Sequence, residues 1–298
     1  MTTLNVRHTT VYRYRRSVRF GDHRLMLRPR DSHDLRLIRT NLNFLPAASV
    51  RWIHDVFGNS IAIASFAESA AELRIESKLQ LETYVVERPR SEIAPEAASY
   101  PFIYSADDRV GLGRMLEPHH PDPADRLGAW ARAFVRGSRT DTQALLADLN
   151  AGVKASISYQ SRETEGTQTP VETVDRGWGS CRDLAMLLIE AARCLGFGAR
   201  VVTGYLYNPS ADGGDTAVTG VGATHVWADI YLPGAGWISC DPTNGTVNSA
   251  NLIRVAVTRD INQAVPIAGS FVGGSDDYLG MTVNVAVILE RGAAARSA

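Results

Sequence analysis

Cys181, His225 and Asp241 are the residues of this chain whose types and order could perform nucleophilic catalysis. A cysteine attacks as its thiolate, so it needs a base to take its proton and a setting that tolerates the charge. Cys181 follows Gly-Trp-Gly-Ser and opens CRDLAMLLIEAARCLG, in which Leu184, Leu187, Leu188, Ala191 and Leu195 fall on one helical stripe and Gly196 supplies a left-handed stop. A helix that starts at the cysteine aims its unpaired N–H groups and partial positive charge at the sulfur. That arrangement favours a thiolate and offers donors to an oxyanion.

His225 lies in THVWADIYL, whose alternation puts His225, Trp227, Asp229 and Tyr231 on one face of a strand. Asp241 ends GWISCD, just before Pro242, where a carboxylate could fix the imidazole tautomer and support the imidazolium. The two segments read as a hairpin. A three-residue Pro-Gly-Ala loop with Gly236 in a bulge sets Trp237 opposite Tyr231 and Asp241 opposite Trp227. Asp241 is then diagonal to His225, at roughly 7 Å between backbones and within side-chain reach. For a second oxyanion donor the candidates are Gln160 and Tyr159, ahead of Trp178.

The elements that must position these groups fall into three stretches. Residues 1–88 alternate as strands, with Asp55, Gly58 and Asn59 at a structural turn, and predict a β-rich N-terminal domain. Residues 89–120, rich in Pro, Ser and Ala, read as a connector. Residues 121–298 predict the core: helices with Asp122 and Asp141 as N-caps, the cysteine helix, and strands at ARVVTGYLY, THVWADIYL, GWISCD, IRVAV and MTVNVAVIL. The fold class is α+β.

Composition leaves function to this local constellation, because 298 residues with a formal net charge of -1 offer no global attraction to nucleic acid or membrane. Three cysteines form neither a disulfide framework nor a metal knuckle, and the N-terminus lacks a secretory apolar run, so a cytoplasmic protein is expected. Cys194 and Cys240 are expected to pack as buried hydrophobes. His119 and His120 lack the spaced partners of a metal site, and the Gly-rich stretch 208–222 reads as a cleft loop. Arg182 and Asp183 read as a structural pair. Trp227, Tyr231 and Trp237 fit a cleft wall or cross-strand packing equally. No cofactor or metal is expected, and the oligomeric state is left open.

GWGSCRDLAMLLIEAARCLGFGARVVTGYL with THVWADIYLPGAGWISCDPTNG resembles the transglutaminase-like superfamily, a papain-related cysteine group. RLMLRPR and HDVFGN resemble elements that precede that core in its bacterial branch. The resemblance implies a central helix carrying the cysteine against an antiparallel sheet, and a Cys181, His225 and Asp241 triad. It departs near the C-terminus, where TRDINQAVP replaces the GRDY-like sequence common in such proteins. The implied activity is acyl transfer from an amide of a protein or peptide through a thioester. Hydrolysis as a peptidase or amidase is favoured. Transfer to an amine, as in a transglutaminase, and a non-catalytic binding module are the alternatives.

Overall fold

Leu73, Ile75, Ser77, Leu79 and Leu81 are buried at every second position of Ala70–Thr83, which makes this strand one face of a covered sheet. The computed structural model describes residues 2–84, 91–162, 166–212, 219–220 and 222–290, and the chain is α+β as its sequence indicates. The N-terminal part comprises β1 (Thr2–Phe20), β2 (His23–Arg28), β3 (Leu35–Leu45), β4 (Ala48–His54), β5 (Ser60–Phe66) and β6 (Ala70–Thr83). β1 pairs antiparallel with β6, and β6 with β3. β5 lies between β2 and β4 in a second sheet. The register of β1 shifts between Arg13 and Val18, and beyond that shift Val18 and Phe20 join Leu25, Ala64, Leu73 and Ile75 in a core shared by the two sheets.

Among the described residues five α-helices follow: α1 (Ala106–Leu112), α2 (Arg126–Arg132), α3 (Thr142–Ser156), α4 (Pro170–Arg176) and α5 (Cys181–Cys194). Asp141 caps α3 by accepting from Ala144 N at 2.8 Å, as expected. Asp122 acts from one turn before α2, accepting from Arg126 N and Leu127 N, while Asp125 occupies the N-cap position in a left-handed conformation. The predicted apolar stripe of α5 is only part of its packing. Met186, Ile189, Glu190 and Arg193 are buried as well, because α2, α3 and α4 enclose the faces that the sheet does not cover.

That sheet is antiparallel, with β7 (Ala199–Leu206) and β8 (His225–Leu232) at its centre, β9 (Gly236–Asp241) beside β8 and β10 (Leu252–Thr258) beside β7. Val201, Ala228, Ile230 and Ile238 share one hydrophobic core with α5. The loop stretch at 208–222 is described except for residues 213–218 and 221, and the sequence-read boundary near residue 88 also falls outside the described residues.

The last described strand, which the sequence grouped with residues 121–298, lies on the N-terminal sheet. β11 (Tyr278–Leu289) pairs with β1 from Leu4 opposite Leu289 to Tyr14 opposite Tyr278, while Phe271–Val272 pairs with the end of β1 and Ile267–Ala268 with β2. Apolar alternation in MTVNVAVIL announces a strand but not which sheet it joins. A second cluster, including Leu4, Val6, Leu81, Tyr205, Ile253 and Val285, joins the N-terminal strands to β7 and β10. Asn59 adds a polar clasp. Its side chain donates to Val257 O at 2.7 Å and accepts from Val257 N at 2.9 Å, and Asp55 holds the turn that presents it.

Candidate active site

Gly179, Ser180 and Asp183 set where the cysteine helix begins. Asp183, fully buried, accepts from Ser180 N and Ser180 Oγ, each at 2.8 Å, closing a capping box around the first turn. The same carboxylate accepts from Gln168 N and Arg162 Nη2, so it ties the preceding loop to the helix start. A Cβ at Gly179 would lie 2.8 Å from Asp183 Cβ, which is why a glycine precedes Ser180. Cys181 then stands at the first helical position, half-buried, in an open cleft of about 760 Å³.

The β8–β9 hairpin delivers the other two residues. Its register sets Tyr231 opposite Trp237 and Leu232 opposite Gly236, across Pro233, Gly234 and Ala235, with Gly236 at φ +76°. Asp241 is thereby diagonal to His225, and His225 Nε2 lies 2.9 Å from Asp241 Oδ2. Both side chains are essentially inaccessible. Asp241 accepts three further hydrogen bonds, from Thr243 N, Asn244 N and Asn244 Nδ2.

Burial alone would lower the pKa of His225. The charge and hydrogen bond of Asp241, with a smaller contribution from the adjacent Cys181, reverse that and raise it to about 10. Burial would likewise raise the pKa of Asp241, and the imidazolium and Asn244 hold it below its ordinary value. Nδ1 of His225 is buried and makes no hydrogen bond of ordinary geometry. It is the ring nitrogen that Asp241 does not engage, and Cys181 lies close enough to the ring to help raise its pKa. The tautomer is thus defined by the carboxylate on Nε2.

Gly220 closes over this nitrogen. At φ +91°, its missing Cβ would sit 3.2 Å from His225 Nδ1 and 3.8 Å from Tyr159 Oη. Asn244 fixes that loop from both sides, accepting from Thr219 N at 2.7 Å and donating to Thr219 O at 3.2 Å while it also donates to Asp241. Sequence reading missed Asn244. Its signal was present in DPTNG, as an amide side chain three residues after a carboxylate in a turn.

The oxyanion candidates separate by position. Ser158–Tyr159 pairs in parallel with Trp178–Gly179, and this short ladder turns Tyr159 into the cleft wall. Its hydroxyl is held above the ordinary phenol pKa, first by burial and then by Cys181. Gln160 is exposed and Trp178 lies under Arg176, and neither is part of the cleft lining. The segment Ile261–Pro266, given no role from its sequence, supplies the opposite wall through Ile261, Asn262, Ala264, Val265 and Pro266. Trp227 stacks behind His225 with ring centroids 6.1 Å apart, and Tyr231 packs edge-on against Trp237, so these aromatics pack and do not line the cleft.

Cys240 is buried as expected, whereas Cys194 is half-buried. The pKa of Cys194 is nonetheless pushed up to about 11, by burial first and then by Glu190, Asp122 and Asp125. His119 places one ring nitrogen 3.1 Å from Asp260 and the other 2.8 Å from Arg259 Nη1, while the backbone of both histidines donates to buried Glu190. The pair therefore docks the connector on α5.

A thiol at a helix start and an imidazole line one cleft, and a buried carboxylate holds the imidazole, on elements in the order cysteine helix, histidine strand, aspartate strand. The model of the transglutaminase-like superfamily matches residues 128–242, and that of the bacterial transglutaminase-like N-terminal region matches residues 4–82. The chain carries a transglutaminase-like core. It is 28% identical over 294 residues to an uncharacterized protein of Mycobacterium tuberculosis, covering 95% of this chain and 91% of that one. An uncharacterized Mycobacterium leprae protein is 25% identical over 290 residues, covering 96% and 99%. A solved structure of a candidate cysteine protease from Cytophaga hutchinsonii superposes with a TM-score of 0.72 at 18% identity, over 96% of this chain and 91% of that one. The superfamily fold is that of cysteine-based enzymes. Among the described residues no helix is long and apolar enough to cross a membrane.

Proposed function

We propose that the chain is a cysteine-dependent acyl-transfer enzyme that hydrolyses an amide bond of a protein or peptide. The observation that carries this reading is His225 held on Nε2 by Asp241 at 2.9 Å, with its other nitrogen unbonded in the cleft that contains Cys181. Cys181 sulfur attacks the amide carbon, and the oxyanion rests on the first N–H groups of α5 and on Tyr159. The imidazolium gives its proton to the departing amine, leaving a thioester and a neutral imidazole. Water, deprotonated by His225, then attacks the thioester and returns the thiol and a free carboxylic acid.

Water is the favoured acceptor because the cleft is open and Cys181 is itself partly accessible. Three free thiols suit a reducing compartment, and we place the protein in the cytoplasm on that ground. The deciding experiment incubates the chain with unfolded casein peptides and a glutamine-amide panel, with and without millimolar primary amine. Free acid formed only with Cys181 present supports the hydrolase. Predominant amide product reassigns it as a transglutaminase, and no thiol-dependent product from any amide sinks the enzyme reading.

A further inference from the structure

Six consecutive residues of β11, Tyr278 to Val283, line the cleft that holds Cys181 and His225. A strand that shows a face to a cavity contributes alternate residues, whereas one that contributes every residue presents its edge. β11 is the outer strand of its sheet and pairs only with β1 among the described residues. The direction of its free groups follows from Val285, whose N–H donates to Gly222 O at 2.8 Å, in the loop leading to His225. That N–H points away from β1. Outward groups recur at every second residue of an antiparallel strand, and the pairing with β1 runs without a shift from Leu289 to Gly280. The N–H and C=O of Met281 and Val283 therefore point the same way, at residues that line the cleft.

Edge strands of such length are ordinarily blunted by a charge, a proline or a bulge. YLGMTVNVAVIL carries neither charge nor proline, and its one register shift lies beyond Gly280. Among the described residues the loop meets this edge through Gly222 at Val285, and none of them bonds the outward groups of Met281 or Val283, the two residues that face the nucleophile's cleft. The geometry points to β11 as a strand-addition subsite, in which an extended segment of the substrate pairs with Met281 and Val283 and so reaches Cys181. This rests on the acyl-transfer reading above and gives it a substrate class, a polypeptide bound in extended conformation. A second copy of the chain could also pair with an open edge. The open groups face a cleft whose other wall is Ile261–Pro266, which admits one strand more readily than another folded sheet.

The test uses the Cys181→Ala chain, fluorescein-labelled peptides from carboxymethylated casein, and anisotropy. The tightest-binding peptide is then N-methylated at one amide at a time. The expected result is an affinity loss of about tenfold or more at every second residue over a stretch of about four, with little loss between. Met281→Pro removes the outward N–H without touching the β1 ladder and should lose about as much, while Met281→Leu keeps it and should stay within about threefold. If Met281→Pro fails to fold, the N-methyl pattern on the unaltered strand decides alone. No casein peptide binding, losses at consecutive residues, or uniform tolerance of N-methylation overturns the subsite. So does a dimer in sedimentation that Met281→Pro dissociates, which would assign the edge to self-association. The wild-type chain separates the two readings: an alternating pattern without Cys181-dependent product keeps the subsite and sinks acyl transfer, and product without the pattern does the reverse.

Discussion

His225 carries a proton through neutral pH because Asp241 and Cys181 together outweigh the cost of burying its charge. The sign of the resulting pH dependence is fixed by which pKa moves. The folded-state pKa of His225 lies above its unfolded value, so its contribution to stability is complete below about 6.5 and is lost as pH rises toward about 10. Asp241 is depressed, so its contribution is present above about 3.9 and is lost as pH falls through its lowered folded-state pKa. Urea midpoints should therefore fall steadily from about pH 6.5 to about pH 10, and His225→Gln should flatten that limb; an equally steep limb in the variant removes the pair as its cause. All donors around Asp241 point at an acceptor, so Asp241→Asn inserts a donor among donors and favours the wrong imidazole tautomer. Turnover should drop on the order of 10²–10⁴-fold, read as kcat on whichever casein peptide the wild type cleaves, and unchanged kcat would remove Asp241 from the mechanism. The other cysteines serve as controls. Limiting iodoacetamide at about pH 6 should label Cys181 before Cys194, whose pKa is pushed up to about 11, and before the buried Cys240. Equal labelling of Cys194, located by peptide mapping, counts against an activated nucleophile.

At the scale of elements, α5 is held in place by the residues around its first turn. Asp183 accepts from Ser180, Gln168 and Arg162 with no solvent access, and Arg162 is itself largely covered. Removing one partner of such a buried pair strands the other charge, so Asp183→Ala should cost about 3–5 kcal/mol in urea denaturation. A loss under about 1 kcal/mol would mean that the pair is solvated in solution. Cys181, His225 and Asp241 were legible in the sequence because each sits where a periodic pattern begins or ends, and period plus turn length fixed the hairpin register. Asn244, Gly220 and Arg162 were not. Asn244 acts on Thr219 across 25 residues and Arg162 on Asp183 across 21, and no period marks such contacts. Tyr159 and Gln160 were named together for one reason: adjacent strand residues point to opposite sides, and without the ladder to Trp178–Gly179 nothing says which of the two faces the cleft.

On the scale of the whole molecule, the N-terminal sheets and the segment that carries Cys181 pack against each other through a shared apolar cluster and a shared strand ladder. β11 needs β1 as its ladder partner, Tyr205 and Ile253 of the core sheet are buried against Leu4, Val6 and Leu81, and buried His8 faces Tyr205 Oη at 3.2 Å. Burial lowers the His8 pKa to about 4, so this contact holds a neutral ring at neutral pH. A chain of residues 121–298, the segment that the sequence suggested as the core, would expose all of these surfaces and leave β11 with no partner. Each buried Leu, Ile or Val so exposed forfeits about 1.5–3 kcal/mol, against a total stability of about 5–15 kcal/mol for a typical domain. The loss of a few such side chains is enough to decide the outcome. Expressed alone, residues 121–298 should therefore be insoluble, or should lack cooperative unfolding and near-ultraviolet dichroism, while the full chain unfolds in one transition. Cooperative unfolding of residues 121–298, with Cys181 labelled as fast as in the full chain, would show instead that the N-terminal sheets are dispensable for the site. It would also separate the catalytic cleft from the β11 edge, because a β11 without β1 cannot hold its open groups in register for a substrate strand.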